Sequence, residues 1–270
     1  MNTLSYHIGM VGGGLEAFYC LDRLSLEIGN RSDLPVEIVI YDHSDIPVSK
    51  KLFREERVVP MVSIMQFDVW SNESRKRFPH TSLSFPHWLM KKYPESDHFE
   101  KEGVPVKLID DYMHDSLLQV LIRFAFSQSV QILNRSVDQI SVSKRAQQIV
   151  DSEGDSHIFD ELLFLVDPSE SSGSVLNMLS YSDDLPIISE NSRIDVDRKG
   201  RPMLQDEGRA THMAILGLTP GDFEEDSTSG SSLWAVDIRN NLINWWSSLR
   251  RSESIPWEAQ KPMEAATAMV

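Results

Sequence analysis

The first pattern along the chain is a short apolar run, residues 8–11 (IGMV), that stops at Gly12-Gly13-Gly14. Leu15, Phe18, Leu21 and Leu24 then recur at close to helical spacing, which predicts a helix with one apolar face. A break at residues 29–33 follows. VEIVIY, Val36–Tyr41, is short and rich in β-branched residues, and so reads as a buried strand. Strand, glycine turn, helix, loop and strand make the first half of a doubly wound sheet. The pattern is irregular from Asp42 to about Val106, with helices expected near residues 64–77 and 85–93, punctuated by Pro79, Pro86 and Pro94. A clearer helix is expected over residues 110–126, with Leu117, Val120, Leu121 and Phe124 as its stripe. Strands are expected at residues 130–133, Val137–Val142 and 148–150, and, after the turn Glu153-Gly154-Asp155, at Glu161–Val166. Beyond a Ser-rich loop at 169–174, residues 193–196 and Met213–Gly217 read as strands. The acidic loop 223–232 leads to a last helix near residues 233–249, where Ile238, Leu242, Trp245 and Leu249 share a face. Its tryptophans read as core or interface rather than as cofactor-stacking residues.

These elements predict an α/β fold: three Rossmann-like layers around a central parallel sheet, with a β-meander and a smaller inserted segment. Residues 1–43 and 107–250 form the nucleotide-binding domain in this reading. Residues 44–106 are an inserted helical segment and 251–270 a C-terminal tail.

Composition narrows the function classes. A chain of 270 residues, 41% hydrophobic and 25% charged, has the profile of a globular protein able to bury a core without staples. One cysteine, Cys20, permits no internal disulfide and fits a reducing compartment; it reads as a small buried hydrophobe. The net charge of −15 and the shortness of the basic runs argue against nucleic acid as a partner. No apolar stretch approaches the roughly 18 residues of a membrane span, and the N-terminus leads directly into a strand. A cytoplasmic protein is therefore expected, with a small-molecule substrate and room for a protein partner or a homo-oligomer.

Gly12-Gly13-Gly14-Leu15-Glu16-Ala17 fits G-x-G-x-x-G/A, and it lies between a predicted strand and a predicted helix as the fingerprint requires. Gly12 permits the tight turn, Gly14 lets a pyrophosphate approach the backbone, and Ala17 lets helix and strand pack closely. The N–H groups of Leu15 and Glu16 and the helix dipole would meet the phosphates. Glu16 itself favours the dipole but is an unhelpful charge beside a pyrophosphate. Asp42, directly after VEIVIY, stands where a carboxylate would take the ribose hydroxyls, at an interval longer than the usual ~20 residues. No Arg follows it at once, which disfavours a 2′-phosphate. The ligand expected from these residues is an adenine dinucleotide, FAD ahead of NAD. His80, His87, His98 and His114 show no ligand spacing, so no metal is expected. Neither a nucleophile elbow nor a Walker lysine occurs, and no catalytic residue can be named.

Taken in order, IGMVGGGLEAFYCLDRL with IVIYD, then Asp111-Tyr112-Met113, NRSVDQI and FDELLFLV, then RIDVDRKGRPML and HMAILGLTPGDFEEDST, resemble the FAD/NAD(P)-binding oxidoreductases of the glutathione-reductase-like (Rossmann) superfamily. The chain looks like a short, divergent member. The resemblance implies FAD-dependent oxidation or reduction of a small molecule. It also implies adenine contact by a backbone amide near Val137 and an approach to the flavin ribityl by Gly217. Several positions depart from that pattern. The strand at Leu162 runs into Asp167-Pro168-Ser169 instead of Ala-Thr-Gly, Gly217 precedes Leu218 instead of Asp, and Asp222 comes only five residues after Gly217. Lys50-Lys51-Leu52-Phe53-Arg54 stands where a Gly-rich stretch is expected, and the length leaves little room for a separate NADPH domain. Two alternatives stay open: a redox-inactive binding or partner subunit that keeps the flavoprotein fold, and an NAD-binding reductase.

Overall fold

The computed structural model describes residues 5–42, 57–61, 69–95, 99, 102–142, 147–166, 201, 212–217 and 230–253. Strand β1 (Tyr6–Val11) leads through the glycine turn into helix α1 (Gly14–Ile28) and returns as β2 (Val36–Tyr41). Next come β3 (Val58–Val59), α2 (Asn72–Arg77), α3 (Phe85–Lys92), β4 (Val104–Pro105) and α4 (Lys107–Leu121). The chain continues as β5 (Gln128–Leu133), β6 (Val137–Val142), β7 (Gln147–Asp151), β8 (Ser156–Phe159), β9 (Glu161–Val166), β10 (Met213–Gly217) and α5 (Gly230–Glu253).

Five parallel strands form the central sheet in the order β10-β9-β1-β2-β5. Successive side chains point to opposite faces and both kinds are apolar, so the strands serve two cores. Tyr6, Ile8, Met10, Val36, Ile38 and Ile40 bury against the helices, with Phe18, Leu21 and Leu24 of α1 and Ile238 and Leu242 of α5. Val39, Tyr41, Leu162, Phe164 and Met213 face the other way, onto Val137, Ile140, Ile149 and Phe159 of the antiparallel meander β6-β7-β8. Gly9 is the place where that meander presses closest: a Cβ there would stand 2.9 Å from the Phe159 ring. Helices, parallel sheet and meander are the three layers expected from the sequence.

The element limits moved in places. Helix α4 spans Lys107–Leu121, one turn earlier than expected, because Pro105 ends β4 directly before it. The chain leaves the helix at Ile122, and the apolar spacing that ran on to Phe124 belongs to a turn packed on the same core. Strand β8 is not among the strands expected from the sequence: Ser156 and His157 are polar, and of its two apolar residues only Phe159 buries. The segment expected to be helical also pairs β3 with β4. The expected strand at 193–196, the loop 169–174, the 50–54 stretch, Asp167–Ser169 and Asp222 lie outside the described residues.

The segment 69–95 is joined to α1 and α4 by buried polar contacts. Ser71 caps α2, accepting from the Ser74 N–H at 3.1 Å. Asp22 accepts from the Ser71 hydroxyl at 2.8 Å, from the Ser74 hydroxyl, and from Arg123 at 2.8 Å. Arg123 also donates to the Ser82 hydroxyl at 2.7 Å and lies over the Phe78 and Trp70 rings. On α3, Phe85, Trp88 and Leu89 are buried, and Trp88 Nε1 donates to Asp115 of α4 at 2.9 Å.

Candidate functional site at the carboxyl edge of the sheet

Register builds this site. β1 and β2 pair in parallel from Tyr6 with Val36 to Val11 with Tyr41, so the next residues, Gly12 and Asp42, emerge side by side. The Gly12 N–H donates to the Tyr41 carbonyl and the Asp42 N–H to the Leu133 carbonyl, both at 2.9 Å. Gly12 has φ of 112° and Gly14 of 72°, a region L residues rarely adopt. Gly12 is confined as well, because a Cβ would stand 2.7 Å from the Leu165 carbonyl oxygen at the end of β9. Gly13 is extended, with φ −127° and ψ −157°, yet a Cβ there would fall among the atoms of the Asp42 carboxylate. The ribose carboxylate expected from the sequence therefore lies directly against the glycine turn.

No side chain caps α1 at Gly13, and Glu16 is the acidic residue of its first turn. A helix start without a side-chain cap leaves backbone N–H groups and the positive dipole end for an anion. Leu15 and Ala17 bury their side chains in the core, so at this turn they offer backbone only. Val137 opens β6 four residues after the Leu133 carbonyl that holds Asp42. Gly217 ends β10, paired with Val166 of β9. Gly12, Asp42 and Gly217 lie at the carboxyl edge of the parallel sheet, where open α/β folds bind ligands, and Val137 belongs to the meander packed on that sheet. The edge runs from β5 and β2 at Asp42 to β9 and β10 at Gly217.

Two polar clusters escaped the sequence reading. Beside Val137, Arg135 donates to Asp151 at 2.8 Å and to Asp155 at 2.9 Å, and it pairs with Glu153 at 2.6 Å. Burial pushes the Asp151 carboxyl up, but the Arg135 guanidinium and the Asp155 and Glu153 N–H groups outweigh it and hold it below its ordinary value. The ligand atoms of Asp151, Asp155 and His157 lie within 4.8 Å of one another, but the cation among these carboxylates is Arg135. Burial, with Asp151 next, pushes the nearby Tyr41 phenol up to about 12.

The second cluster is at the opposite edge. Glu161, 2% exposed, accepts from the Tyr6 hydroxyl at 2.9 Å and from Asn241 at 2.7 Å, with His212 Nδ1 at 3.1 Å. The Glu161 hydrogen bond raises the His212 pKa against the opposing effect of burial. Cys20 is a free, buried thiol, and burial shifts its pKa upward. No described helix is long and apolar enough to cross a membrane.

The sequence profile of the FAD-NAD(P)-binding family matches residues 9–166, more than half of the chain. The chain belongs to this family. The matched span opens inside β1 and closes at the end of β9, so it contains the glycine turn, Asp42 and Val137. Among curated proteins no sequence matches this family member. It is similar to the putative thioredoxin reductase TrxB from Bacillus anthracis, with 8% identity, 91% of this chain and 99% of that one covered, and a TM-score of 0.40. Against a thioredoxin reductase from Gloeobacter violaceus the identity is 12%, the coverage 60% of this chain and 34% of that one, and the TM-score 0.31. For the lysine monooxygenase NbtG from Nocardia farcinica the values are 12%, 59%, 42% and 0.38. The chain thus spans about a third of the Gloeobacter reductase and less than half of NbtG. At these scores the likenesses carry no inference about chemistry.

Proposed function

We propose that this FAD-NAD(P)-binding protein is a cytoplasmic, FAD-dependent oxidoreductase acting on a small molecule. Residues 1–43 and 107–250 form its binding domain, with 44–106 inserted between them. The observation that carries the reading is the Asp42 carboxylate lying against the Gly12-Gly13-Gly14 turn at the uncapped start of α1. A Cβ at Gly12 would meet the Leu165 carbonyl and one at Gly13 the Asp42 carboxylate, so the turn has room only for glycine backbone, and the residues fit the adenosine diphosphate half of a dinucleotide.

Each group has a separable part. The Leu15 and Glu16 N–H groups bind the pyrophosphate at the helix start. The Glu16 carboxylate weakens that attraction and makes Gly14 and the dipole more important. Asp42 accepts from the ribose diol, an arrangement suited to an acceptor-only group. Val137 meets the adenine through its backbone, and Gly217 lets the other half of the ligand approach β10. A bound flavin supplies the hydride-transfer chemistry itself, while the protein binds it, orients it and tunes its electrostatics.

The test is the absorbance spectrum of the purified protein, followed by calorimetric titration with FAD and NAD. Oxidised-flavin bands, or submicromolar FAD binding by the colourless protein, support the proposal. The departures at Asp167-Pro168-Ser169 and at Leu218 favour a second reading, a redox-inactive partner subunit. A protein that binds ADP but neither FAD nor NAD would support it. NAD binding without FAD would indicate a nicotinamide-dependent reductase instead.

A further inference from the structure

The three consecutive glycines are glycine for different physical reasons. Gly12 and Gly14 carry positive φ. Gly13 does not, since φ −127° and ψ −157° lie in extended space open to any L residue. Backbone conformation gives no reason for a glycine at this middle position. The reason stands across the turn, where a Cβ on Gly13 would overlap Cγ and both oxygens of Asp42.

Asp42 has little freedom to yield. Its N–H is bonded to the Leu133 carbonyl at 2.9 Å, and the preceding Tyr41 is 2% exposed, locked between sheet and meander. The backbone is thus held at both strands, and the carboxylate can move aside only by changing its staggered χ1 well. Such a change would carry the charge away from the turn.

We infer that Gly13 is a specificity-determining position: its missing Cβ keeps the Asp42 carboxylate at the mouth of the turn, where it favours an unsubstituted adenosine ribose over a 2′-phosphorylated one. The inference rests on the proposed adenine-dinucleotide reading of this site. A carboxylate held there accepts both ribose hydroxyls and repels a 2′-phosphate. With the carboxylate swung away, both effects fade together. Gly13 acts through Asp42 and is a positioning residue. The Glu16 carboxylate is carried by α1 and does not move with it, so it cannot imitate this effect.

The experiment compares wild type, Gly13→Ala, Asp42→Ala and the double variant by calorimetric titration with NAD and NADP, and by thermal denaturation without nucleotide. Gly13→Ala is expected to weaken NAD by about tenfold, the loss of a charge-assisted contact, and NADP much less, so the NAD preference falls. In the Asp42→Ala background the same substitution should change neither ligand by more than about twofold, and its cost in melting temperature should disappear. If Gly13→Ala fails to fold, folding of the double variant supports the coupling, and failure of both overturns it. Equal losses for NAD and NADP, or the same loss in both backgrounds, would show that the Cβ acts on the phosphates or on the fold, and would overturn the inference while leaving the binding site intact. A wild type that binds FAD but neither NAD nor NADP leaves the dinucleotide reading standing and overturns the specificity claim, and one that binds none of the three overturns both. The nucleotide-free melting cycle then reports separately on whether Gly13 and Asp42 are coupled.

Discussion

Replacing Arg123 by Leu isolates what joins the segment 69–95 to the dinucleotide-binding layers. Asp22 and Arg123 are 2.8 Å apart with side chains 1% and 6% exposed. At an effective dielectric near 20 their attraction is about 6 kcal/mol, and desolvation of the two ions cancels most of it. The pair as a whole therefore contributes little net stability, whereas an orphaned member is costly. Leu at 123 leaves Asp22 buried with the Ser71 N–H and the Ser71 and Ser74 hydroxyls but without its ion-pair partner, and it removes the stacking over Phe78 and Trp70. The expected loss is about 3–5 kcal/mol, a fall in melting temperature of about 6–20 °C for a chain of this size. Asp22→Leu should cost a similar amount by stranding the guanidinium. The double variant Asp22→Leu/Arg123→Leu should be less destabilised than either single one, with a coupling of about 2 kcal/mol or more. Urea denaturation followed by tryptophan fluorescence reads this directly, because Trp70 stacks against the site. Additive costs, or singles within about 1 kcal/mol of wild type, would refute the buried-pair account.

Three further outcomes are expected. Gly14→Val should abolish dinucleotide binding, but at φ 72° it should also lower stability by about 1–3 kcal/mol, so binding must be read on the folded fraction by circular dichroism and calorimetry together. Asp42→Ala should weaken FAD or NAD by about ten- to a hundredfold and a 2′-phosphorylated dinucleotide much less; equal losses in titration would mark Asp42 as a strand-end cap. The His212 pKa is raised in the fold by Glu161, so its contribution is fully present below the unfolded value of about 6.5 and is lost as pH rises through the higher folded value. His212→Gln should flatten that part of the stability–pH curve, and an unchanged slope would show that the pair does not titrate with folding.

Much of the fold was legible because its strands are short runs that carry buried apolar side chains between turn residues. Val36–Tyr41, Val137–Val142, Glu161–Val166 and Met213–Gly217 were read from the sequence with the limits they have in the structure. Elements whose burial is partial were harder. β8 buries Phe159 but exposes Ile158, so its alternation conflicts with its environment, and local pattern carried no strand signal. The Asp22–Arg123 contact spans 101 positions in sequence, and no short-range periodicity can announce such a pair. One signal was present all the same. Asp22 sits seven residues after Leu15, on the apolar face of α1, and a charge there must find a buried partner or unfold the helix.

The glycine turn shows a different limit. A G-x-G-x-x-A pattern names which positions are small without saying which force keeps them small. Pattern reasoning assigned Gly14 to phosphate approach, yet its φ of 72° gives it a conformational reason as well. The same reasoning left Gly13 as the free position of the motif, and there the constraint is the strictest, because Asp42 occupies the place of the side chain. That constraint comes from pairing register: Val11 opposite Tyr41 forces Gly12 and Asp42 out of the sheet together. A one-residue slip of β2 would turn Tyr41, now buried against the meander, toward the helices and move the carboxylate off the turn. The residue that defines the site is therefore fixed by the packing of VEIVIY on both faces of the sheet, and the stability of the sheet and the placement of the charge depend on the same side chains.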